Sequence, residues 1–445
     1  MAKHLVIYTL AHQPHRLKLP AQPIPPGAAA DDIARCLFDQ RMDQFYFGRA
    51  AGKCYHPAIA AFTEFLCAGG KLCFGISETL LDQITRWDPS LLEALTGFVH
   101  HPNCELITVE PEHSLIFYLD IRRFVEGLGR YRQRLEREFG VVAQVADTTE
   151  MFMSNDLYFA LARAGMRGGF MDGRSWVLDW RSPTHLYHHQ LPTAILARHT
   201  DLSDDVGYRF SNRSWHGWPL LASDWAEWIA KAEGDFVFVG WDFETFGEHQ
   251  WQDSGIFDFI AALPGELKRC GVECLGASEV MDRFADHSFD LPLPAFPSTW
   301  AGDGGVGFFL GNPIQQALFQ LMHHAYNKAI LTDDPALVDL AVKLTQSDVL
   351  HLTQWFGRSG DEAQVSAYFT PREWWALGPD RIVWEAQQVF KNFIAACDPA
   401  AVAAVRQSTP LDLASDLDDR EDGSDPRGVT RERGPQEAHH KTKAQ

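Results

Sequence analysis

The chain has 445 residues, of which 46% are hydrophobic, and its formal net charge is −20. This length and apolar content exclude wholesale disorder and allow one large domain with a smaller one. The negative charge argues against binding nucleic acid through a basic face, because Lys and Arg side chains dominate phosphate recognition. No stretch approaches the ~20 apolar residues of a membrane span. The apolar stretch at the N-terminus is too short for a signal peptide, so we expect a soluble, cytoplasmic protein.

Short apolar segments alternate with helix-like segments along the first part of the chain. The predicted strands are 5–10, 72–76, 105–109, 141–146, 168–171, 194–197 and 236–241. The predicted helices between them are 33–49, 57–68, 80–99, 121–139 and 157–164. Such alternation predicts parallel strands with helical crossovers. Seven strands in an α/β fold fit an incomplete or distorted (β/α) barrel better than an open sheet, although periodicity alone does not decide between the two.

The strand signal ends near residue 312, and apolar residues at helical spacing follow it. Helices predicted over 315–330, 335–356 and 379–396 indicate a C-terminal helical domain. The predicted organisation is a catalytic barrel over 1–291, a connecting loop over 292–311, the helical domain over 312–405 and a charged tail over 406–445. The composition of the tail is typical of disorder.

Polar residues gather directly after the predicted strands, which is where α/β barrels place their active sites. The segment 241–250 follows a buried strand and carries three carboxylates and an imidazole, among them Asp242. Burying unpartnered carboxylates is costly, so this segment is typical of a functional site rather than a core. Glu150 follows the fourth predicted strand, and we therefore expect it to converge with Asp242 at one mouth of the barrel.

Two carboxylates that flank one bond are the groups that glycoside hydrolysis needs. One attacks the anomeric carbon or stabilises its developing charge, and the other protonates the leaving oxygen. Different surroundings split their pKa values, so that one stays ionised and the other stays protonated near neutrality. The competing interpretation is that Glu150 and Asp242 only cap a helix or a loop.

His12 and Gln13 directly follow the first predicted strand, and both side chains can hydrogen-bond sugar hydroxyls. Tryptophans in polar loops, such as Trp180, are typical of surfaces that stack on sugar rings. Histidines also bind metals. The candidate metal ligands are His12, His15, His56, Asp242 and His249. No pair of histidines among them has the HxxxH spacing of a helical zinc site, so we expect no metal and no cofactor.

These motifs resemble glycoside hydrolase family 57, and within it the α-amylase-type branch. The segments that carry the resemblance are 12–17 (HQPHRL), 75–79 (GISET), 147–152 (DTTEMF), 241–250 (WDFETFGEHQ), 309–312 (FLGN) with Gln315, and also 180–183 and 202–211. The resemblance covers residues 4–395, and the segment 241–250 is highly specific. It implies an incomplete seven-stranded barrel followed by a helical domain, and retaining cleavage of α-glucosidic bonds without a metal in the chemical step.

The resemblance also implies roles for individual residues. Glu150 is expected to be the nucleophile and Asp242 the general acid/base. The side chains expected to line the sugar site are His12, Gln13, Trp180, Arg209, Glu244 and His249. Glu78 departs from the amylase-type pattern, which has Gly at that point, whereas glucanotransferase relatives have a Glu there that touches the sugar. The segment 301–309 is also altered, with Phe308 and Phe309 where the branch has Ala-Trp.

We expect a retaining hydrolase of α-1,4-glucosidic bonds in α-glucans such as glycogen, maltodextrin or starch. The first alternative is a 4-α-glucanotransferase or branching enzyme, which Glu78 favours. A metal-dependent polysaccharide deacetylase has a related barrel but would need an Asp-His-His triad. A glucan-binding homologue without activity is the remaining alternative, and the altered segment 301–309 is its only support. The sequence does not indicate an oligomeric state.

Overall fold

The computed structural model describes residues 4–25 and 27–407. Ten strands of the described residues form one sheet. In chain order they are β1 (His4–Ala11), β2 (Leu72–Ile76), β3 (Cys104–Val109), β4 (Val145–Asp147), β5 (Gly168–Asp172), β6 (Leu186–His189), β7 (Leu191–Arg198), β8 (Val237–Asp242), β9 (Glu273–Cys274) and β10 (Phe289–Asp290).

The sheet has the order β10-β6-β7-β5-β4-β3-β2-β1-β8, and β9 pairs with β1 outside this path. The strands from β7 to β8 in this order are all parallel. They are the seven strands predicted from the sequence, and the predicted incomplete barrel is confirmed. The three further strands were not predicted; β6 is antiparallel to β7, and β10 pairs with β6.

The barrel stays incomplete between β7 and β8, which share no ladder in the part of the chain that the structure describes. A single backbone bond spans this gap, in which the N–H of His199 donates to the carbonyl of Phe238 at 2.6 Å. Residues 193–198 of β7 and 237–241 of β8 are buried on both faces, as expected for parallel strands covered by helices. At Gly240 in β8, an added Cβ would lie 2.8 Å from the Met151 Cε. The absence of a side chain at residue 240 therefore leaves room for the side chain of Met151.

Helices and helical turns connect the strands. They are α1 (Ala30–Leu37), α2 (Gln40–Ala50), α3 (His56–Cys67), α4 (Glu78–Trp87), α5 (Pro89–Val99), α6 (Ile116–Leu119), α7 (Ile121–Phe139), α8 (Asn155–Arg163), α9 (Ser175–Leu178), α10 (Thr200–Gly207), α11 (Ala222–Lys231), α12 (Ile256–Arg269) and α13 (Ala277–Phe284). A π-helical turn (Ala51–Tyr55) joins α2 to α3. The single helices predicted over 33–49 and 80–99 are wrong, because each is two helices. Asp39 and Asp88 cap the second helix of each pair by accepting backbone N–H bonds.

The C-terminal region is helical, as predicted. Its helices are α14 (Gly307–Leu310), α15 (Pro313–Ile330), α16 (Pro335–Lys343), α17 (Ser347–His351), α18 (Asp361–Tyr368), α19 (Arg372–Trp375) and α20 (Pro379–Gln407). The single helix predicted over 335–356 is wrong, because the helix is interrupted between α16 and α17. At the break, the carbonyl of Thr345 accepts from Leu115, and the N–H of Ser347 donates to the carbonyl of His113. The break thus docks the helical region onto the loop after β3.

Buried apolar side chains form two clusters. The first surrounds β1, β2 and β8. The second combines strand residues such as Ile195 with residues of the C-terminal helices such as Leu318 and Phe390, so this core crosses the predicted boundary at residue 312. The described residues as far as Val402 belong to one compact unit. Residues 408–445 of the predicted tail lie outside the described residues. None of the described helices has the length and hydropathy needed to cross a membrane.

Candidate active site

The two predicted catalytic carboxylates lie at strand ends, close enough for the charge of Glu150 to act on Asp242. Glu150 is in a 3₁₀ turn (Thr149–Met151) directly after β4, and Asp242 is the last residue of β8. Burial and the negative charge of Glu150 raise the pKa of Asp242 to about 7. Burial acts in the same direction on Glu150, but the hydrogen bond and charge of His113 outweigh it and lower the pKa of Glu150. The surroundings of the two carboxyls therefore shift their pKa values in opposite directions.

Each carboxylate oxygen of Glu150 has its own donor. The Nε2 of His113 lies 3.2 Å from Oε1, and the Nε1–H of Trp300 donates to Oε2 at 2.6 Å. Burial lowers the pKa of His113, but the hydrogen bond and charge of Glu150 outweigh it and raise this pKa to about 9. His113 is therefore an imidazolium at neutral pH, and it forms an ion pair with Glu150.

His12 links the barrel to the helical region. Its Nδ1 lies 2.8 Å from the Ser77 Oγ, and its Nε2 lies 3.1 Å from the Asp348 Oδ2 on α17. The ring stacks on His113 with centroids 4.3 Å apart. Burial and the charge of His113 lower the pKa of His12, whereas three histidines hold the pKa of Asp348 below its usual range against burial. A neutral His12 therefore donates from Nε2 to the Asp348 carboxylate and accepts the Ser77 hydroxyl at Nδ1.

Glu244, predicted to line the sugar site, is buried next to the backbone of His12. Its Oε1 accepts hydrogen bonds from the Tyr55 hydroxyl and from the backbone N–H of His12. Burial and the charge of Asp242 raise the pKa of Glu244 to about 8. Tyr55 ends the π-helical turn, a kind of turn often found at functional sites. The contacts of Glu244 are thus those of an anchor for the chain at His12.

Gln13 and His249 are the next two residues that were predicted to line the sugar site. The Oε1 of Gln13 accepts from the guanidinium of Arg16 at 3.0 Å. The ring of His249 packs against Phe369 with centroids 5.3 Å apart. Burial and the neighbouring His351 lower the pKa of His249 to about 4, so its ring is neutral at pH 7. His249 thus lies where the segment 241–250 meets the helical region.

Glu78 lies at the start of α4 and is held by two arginines of α7. A guanidinium nitrogen of Arg130 and one of Arg134 each lie 2.9 Å from its carboxylate. Burial and the charge of Glu112 raise its pKa, whereas the two arginines act in the opposite direction. Its described contacts are those of a buried ion pair, and none of them joins it to Glu150 or Asp242.

None of the contacts of Trp180 and Arg209 among the described residues involves Glu150 or Asp242. Arg209 pairs with Asp205 on α10 at 2.8 Å. The side chain of Trp180 is 81% exposed, and the Arg181 guanidinium lies 4.9 Å from its ring centroid. The proposed sugar contacts of both residues therefore remain predictions.

Several residues near the two carboxyls were missed by the sequence analysis. They are His113, Tyr208, Trp300, Asp348 and His351. His113 carried a detectable signal, because it follows β3 in a polar cluster. Trp300 and Asp348 follow no strand, so strand ends did not indicate them. Tyr208 is 66% exposed, and the negative charge of Asp242 acts to raise its pKa, which places the hydroxyl near that carboxyl.

Among residues 4–25 and 27–407, no three or more His, Cys, Asp or Glu side chains are grouped so that they could hold a metal ion. His12 illustrates the reason, because Ser77 and Asp348 already engage both of its ring nitrogens. The candidate metal ligands named from the sequence are therefore not assembled as one site.

The family model of "Glycosyl hydrolase family 57" matches residues 6–294, which is more than half of the chain. The chain belongs to glycosyl hydrolase family 57. A relative from Methanocaldococcus jannaschii, named "Putative alpha-amylase", is 31% identical over 314 residues. The matched region covers 69% of this chain and 66% of that relative, so the chain spans just under two thirds of the relative's length.

Solved structures of family 57 proteins have a similar fold. The branching enzyme of Pyrococcus horikoshii has a TM-score of 0.60 at 13% identity, covering 88% of this chain and 97% of that one. The 4-alpha-glucanotransferase of Thermococcus litoralis has a TM-score of 0.57 at 14% identity, covering 79% of this chain and 56% of that one. At these identities the likeness shows the fold alone, and it agrees with the barrel and helical region described above.

Proposed function

We propose that this family 57 member is a retaining glycoside hydrolase that cleaves α-1,4-glucosidic bonds of α-glucans. One observation carries the proposal, namely that two interacting strand-end carboxyls have different surroundings, which lower the pKa of Glu150 and raise that of Asp242 to about 7. This is the division of roles that a nucleophile and a general acid need. The name of the curated relative supports an amylase-type activity.

In the first step, a carboxylate oxygen of Glu150 attacks the anomeric carbon, and Asp242 gives its proton to the leaving glycosidic oxygen. The product is a β-glucosyl-enzyme in which the charge of Glu150 has been lost. That charge is one cause of the raised pKa of Asp242, after burial. Its loss makes Asp242 more ready to stay ionised and to act as the base of the second step.

In the second step, water attacks the anomeric carbon, and its proton passes to Asp242. The electron pair of the ester bond returns to Glu150. Two inversions at the same carbon retain the α configuration. His113 and Trp300 hold the Glu150 carboxylate throughout by their hydrogen bonds to its oxygens.

Transfer to a second sugar differs from hydrolysis only in the acceptor of the second step. The sequence feature that favoured transfer was Glu78, which is held by Arg130 and Arg134. We therefore propose hydrolysis as the main activity. The presence of both carboxyls, with His113 and Trp300 on the oxygens of Glu150, supports an active enzyme rather than a glucan-binding homologue.

The test is incubation with maltoheptaose, with the products resolved by mass spectrometry. We expect only shorter oligosaccharides from the natural protein and no products from Glu150→Gln, because an amide cannot form the glycosyl ester. Glu93→Gln makes the same chemical change at an exposed position of α5 and should retain activity. Longer oligosaccharides would assign a transferase. Full activity of Glu150→Gln would refute Glu150 as the nucleophile.

A further inference from the structure

Residues 298–300 hold the turn that carries Glu150, and we call them the nucleophile clamp. Ser298 exchanges two backbone hydrogen bonds with Met153, both at 2.9 Å. The hydroxyl of Thr299 donates to the carbonyl of Glu150 at 2.6 Å, and the N–H of Trp300 donates to the same carbonyl at 3.3 Å. The indole N–H of Trp300 donates to the carboxylate of Glu150. The clamp therefore holds both the backbone and the side chain of the proposed nucleophile.

The backbone of this turn needs such support. Glu150 has a φ of 53° and Met151 has a φ of 49°, so two consecutive residues with side chains are left-handed. Residues with a Cβ adopt this conformation only where their surroundings stabilise it. The bonds from Thr299 and Trp300 to the Glu150 carbonyl provide that stabilisation.

Two arginine side chains contact Trp300. Arg174 donates to the carbonyl of Trp300 at 2.5 Å, and the guanidinium of Arg198 lies 5.8 Å from the indole ring. Asp172 pairs with both arginines, at 2.5 Å to Arg174 and 2.9 Å to Arg198. These contacts hold the backbone of Trp300 and place a guanidinium beside its ring, which limits the movement of the indole.

A hydrogen-bond donor on the carboxylate affects the two chemical steps differently. When Glu150 attacks, its negative charge is consumed, and a hydrogen bond to that charge is weakened. When the glycosyl ester breaks, the electron pair returns to Glu150, and the same hydrogen bond is strengthened. A donor that binds the carboxylate better than the ester therefore accelerates the second step more than the first.

We propose that Trp300 is a positioning residue that orients Glu150 and stabilises it as the leaving carboxylate in the second step. This inference rests on the proposed double displacement. In that step the bond between C1 and Glu150 breaks, a bond between C1 and the water oxygen forms, and Asp242 takes the proton of the water. The indole stays protonated and supplies only its hydrogen bond.

The experiment compares Trp300→Phe with the natural protein on 4-nitrophenyl α-maltoside, whose good leaving group makes the first step fast. We expect kcat and KM to fall together, by about tenfold or more, because the bond is made to a charged group. The glycosyl-enzyme should then accumulate on Glu150 and be visible by mass spectrometry. Equal falls of kcat and kcat/KM without accumulation would overturn the inference.

Two controls separate the indole bond from general damage. Trp355→Phe removes an indole hydrogen bond to Thr370 in the helical region, and it should leave the kinetics unchanged. Replacement of Trp300 by benzothienylalanine keeps the bicyclic side chain and removes only the donor, so it serves if Trp300→Phe fails to fold. The joint fall of kcat and KM should also occur with benzothienylalanine, and its absence there would contradict the role of the N–H. The same joint fall in Trp355→Phe would contradict that role as well.

A direct titration separates failure of this inference from failure of the proposed function. Absence of any glycosyl-enzyme in the natural protein would refute the double displacement. The pKa of Glu150, measured by ¹³C NMR in the unliganded protein, still tests the hydrogen bond. We expect this pKa to rise in Trp300→Phe, because the donor stabilises the carboxylate. An unchanged pKa would overturn the role of Trp300.

Discussion

Glu150 and Asp242 both lie at strand ends and are partly buried, yet their neighbours differ. His113 and Trp300 donate to Glu150, whereas the hydrogen bonds among the described residues include no donor to the Asp242 carboxyl. Hydrogen bonds to the charged form lower a pKa, and burial without them raises it. Single residues next to the two acids therefore decide which of them attacks and which of them protonates.

This difference predicts the pH dependence of kcat/KM on maltoheptaose. Activity needs Glu150 ionised and Asp242 protonated, so it should fall on the alkaline side as pH rises through about 7. The acidic limb follows the lowered pKa of Glu150. In His113→Gln, the loss of the cation raises the pKa of both acids, so both limbs should move to higher pH.

The matched control for this profile is His324→Gln, which changes an exposed histidine of α15 and should move neither limb. Trp300→Phe offers a contrast, because the lost indole N–H donates to Glu150. For this variant we expect only the acidic limb of the pH profile to move. Limbs that stay in place in His113→Gln would contradict the ion pair between His113 and Glu150.

At the scale of elements, the segment 241–250 keeps its shape through one glycine. Gly247 has a φ of 121°, and its N–H donates to the carbonyl of Gln250 at 2.9 Å. A Cβ at this position would lie 2.0 Å from the carbonyl oxygen of Lys53 in the π-helical turn. The turn after β8 and the turn before α3 therefore approach as closely as they do because residue 247 has no side chain.

We predict that Gly247→Ala destabilises the protein more than Gly255→Ala. Gly255 also has a positive φ, 84°, but no atom lies within 4 Å of an added Cβ, so that variant incurs only backbone strain of about 1–2 kcal/mol. Gly247→Ala adds a clash with backbone atoms. The midpoint of urea denaturation measures both variants, and equal midpoints would show that the close approach to Lys53 is unimportant.

At the scale of the whole molecule, the helical region completes both the core and the site. The second apolar cluster joins strands of the barrel to α15 and α20. Asp348 of α17 reaches His12 at the end of β1, and His351 of the same helix contributes to the charge around Glu150. The proposed active site is therefore incomplete without residues that follow position 312.

A fragment of residues 1–311 tests this dependence. We expect it to lack a cooperative thermal transition and to bind an apolar dye, because it would expose the barrel side of the second cluster. Circular dichroism during heating measures the transition, with the full chain as the control. A cooperative transition together with maltoheptaose cleavage would show that the barrel is independent.

The amino-acid sequence was enough to predict the seven parallel strands, the helical C-terminal region and the two acids at strand ends. These follow from periodicity and from residues adjacent in the chain, which are local properties. The groups that surround those acids could be found only from the folded structure. Trp300 lies 150 residues from Glu150, and Asp348 lies 336 residues from His12. Contacts over such separations depend on how helices dock, and the ion pairs of Glu78 show that a strand-end carboxylate can instead be used to hold a neighbouring helix.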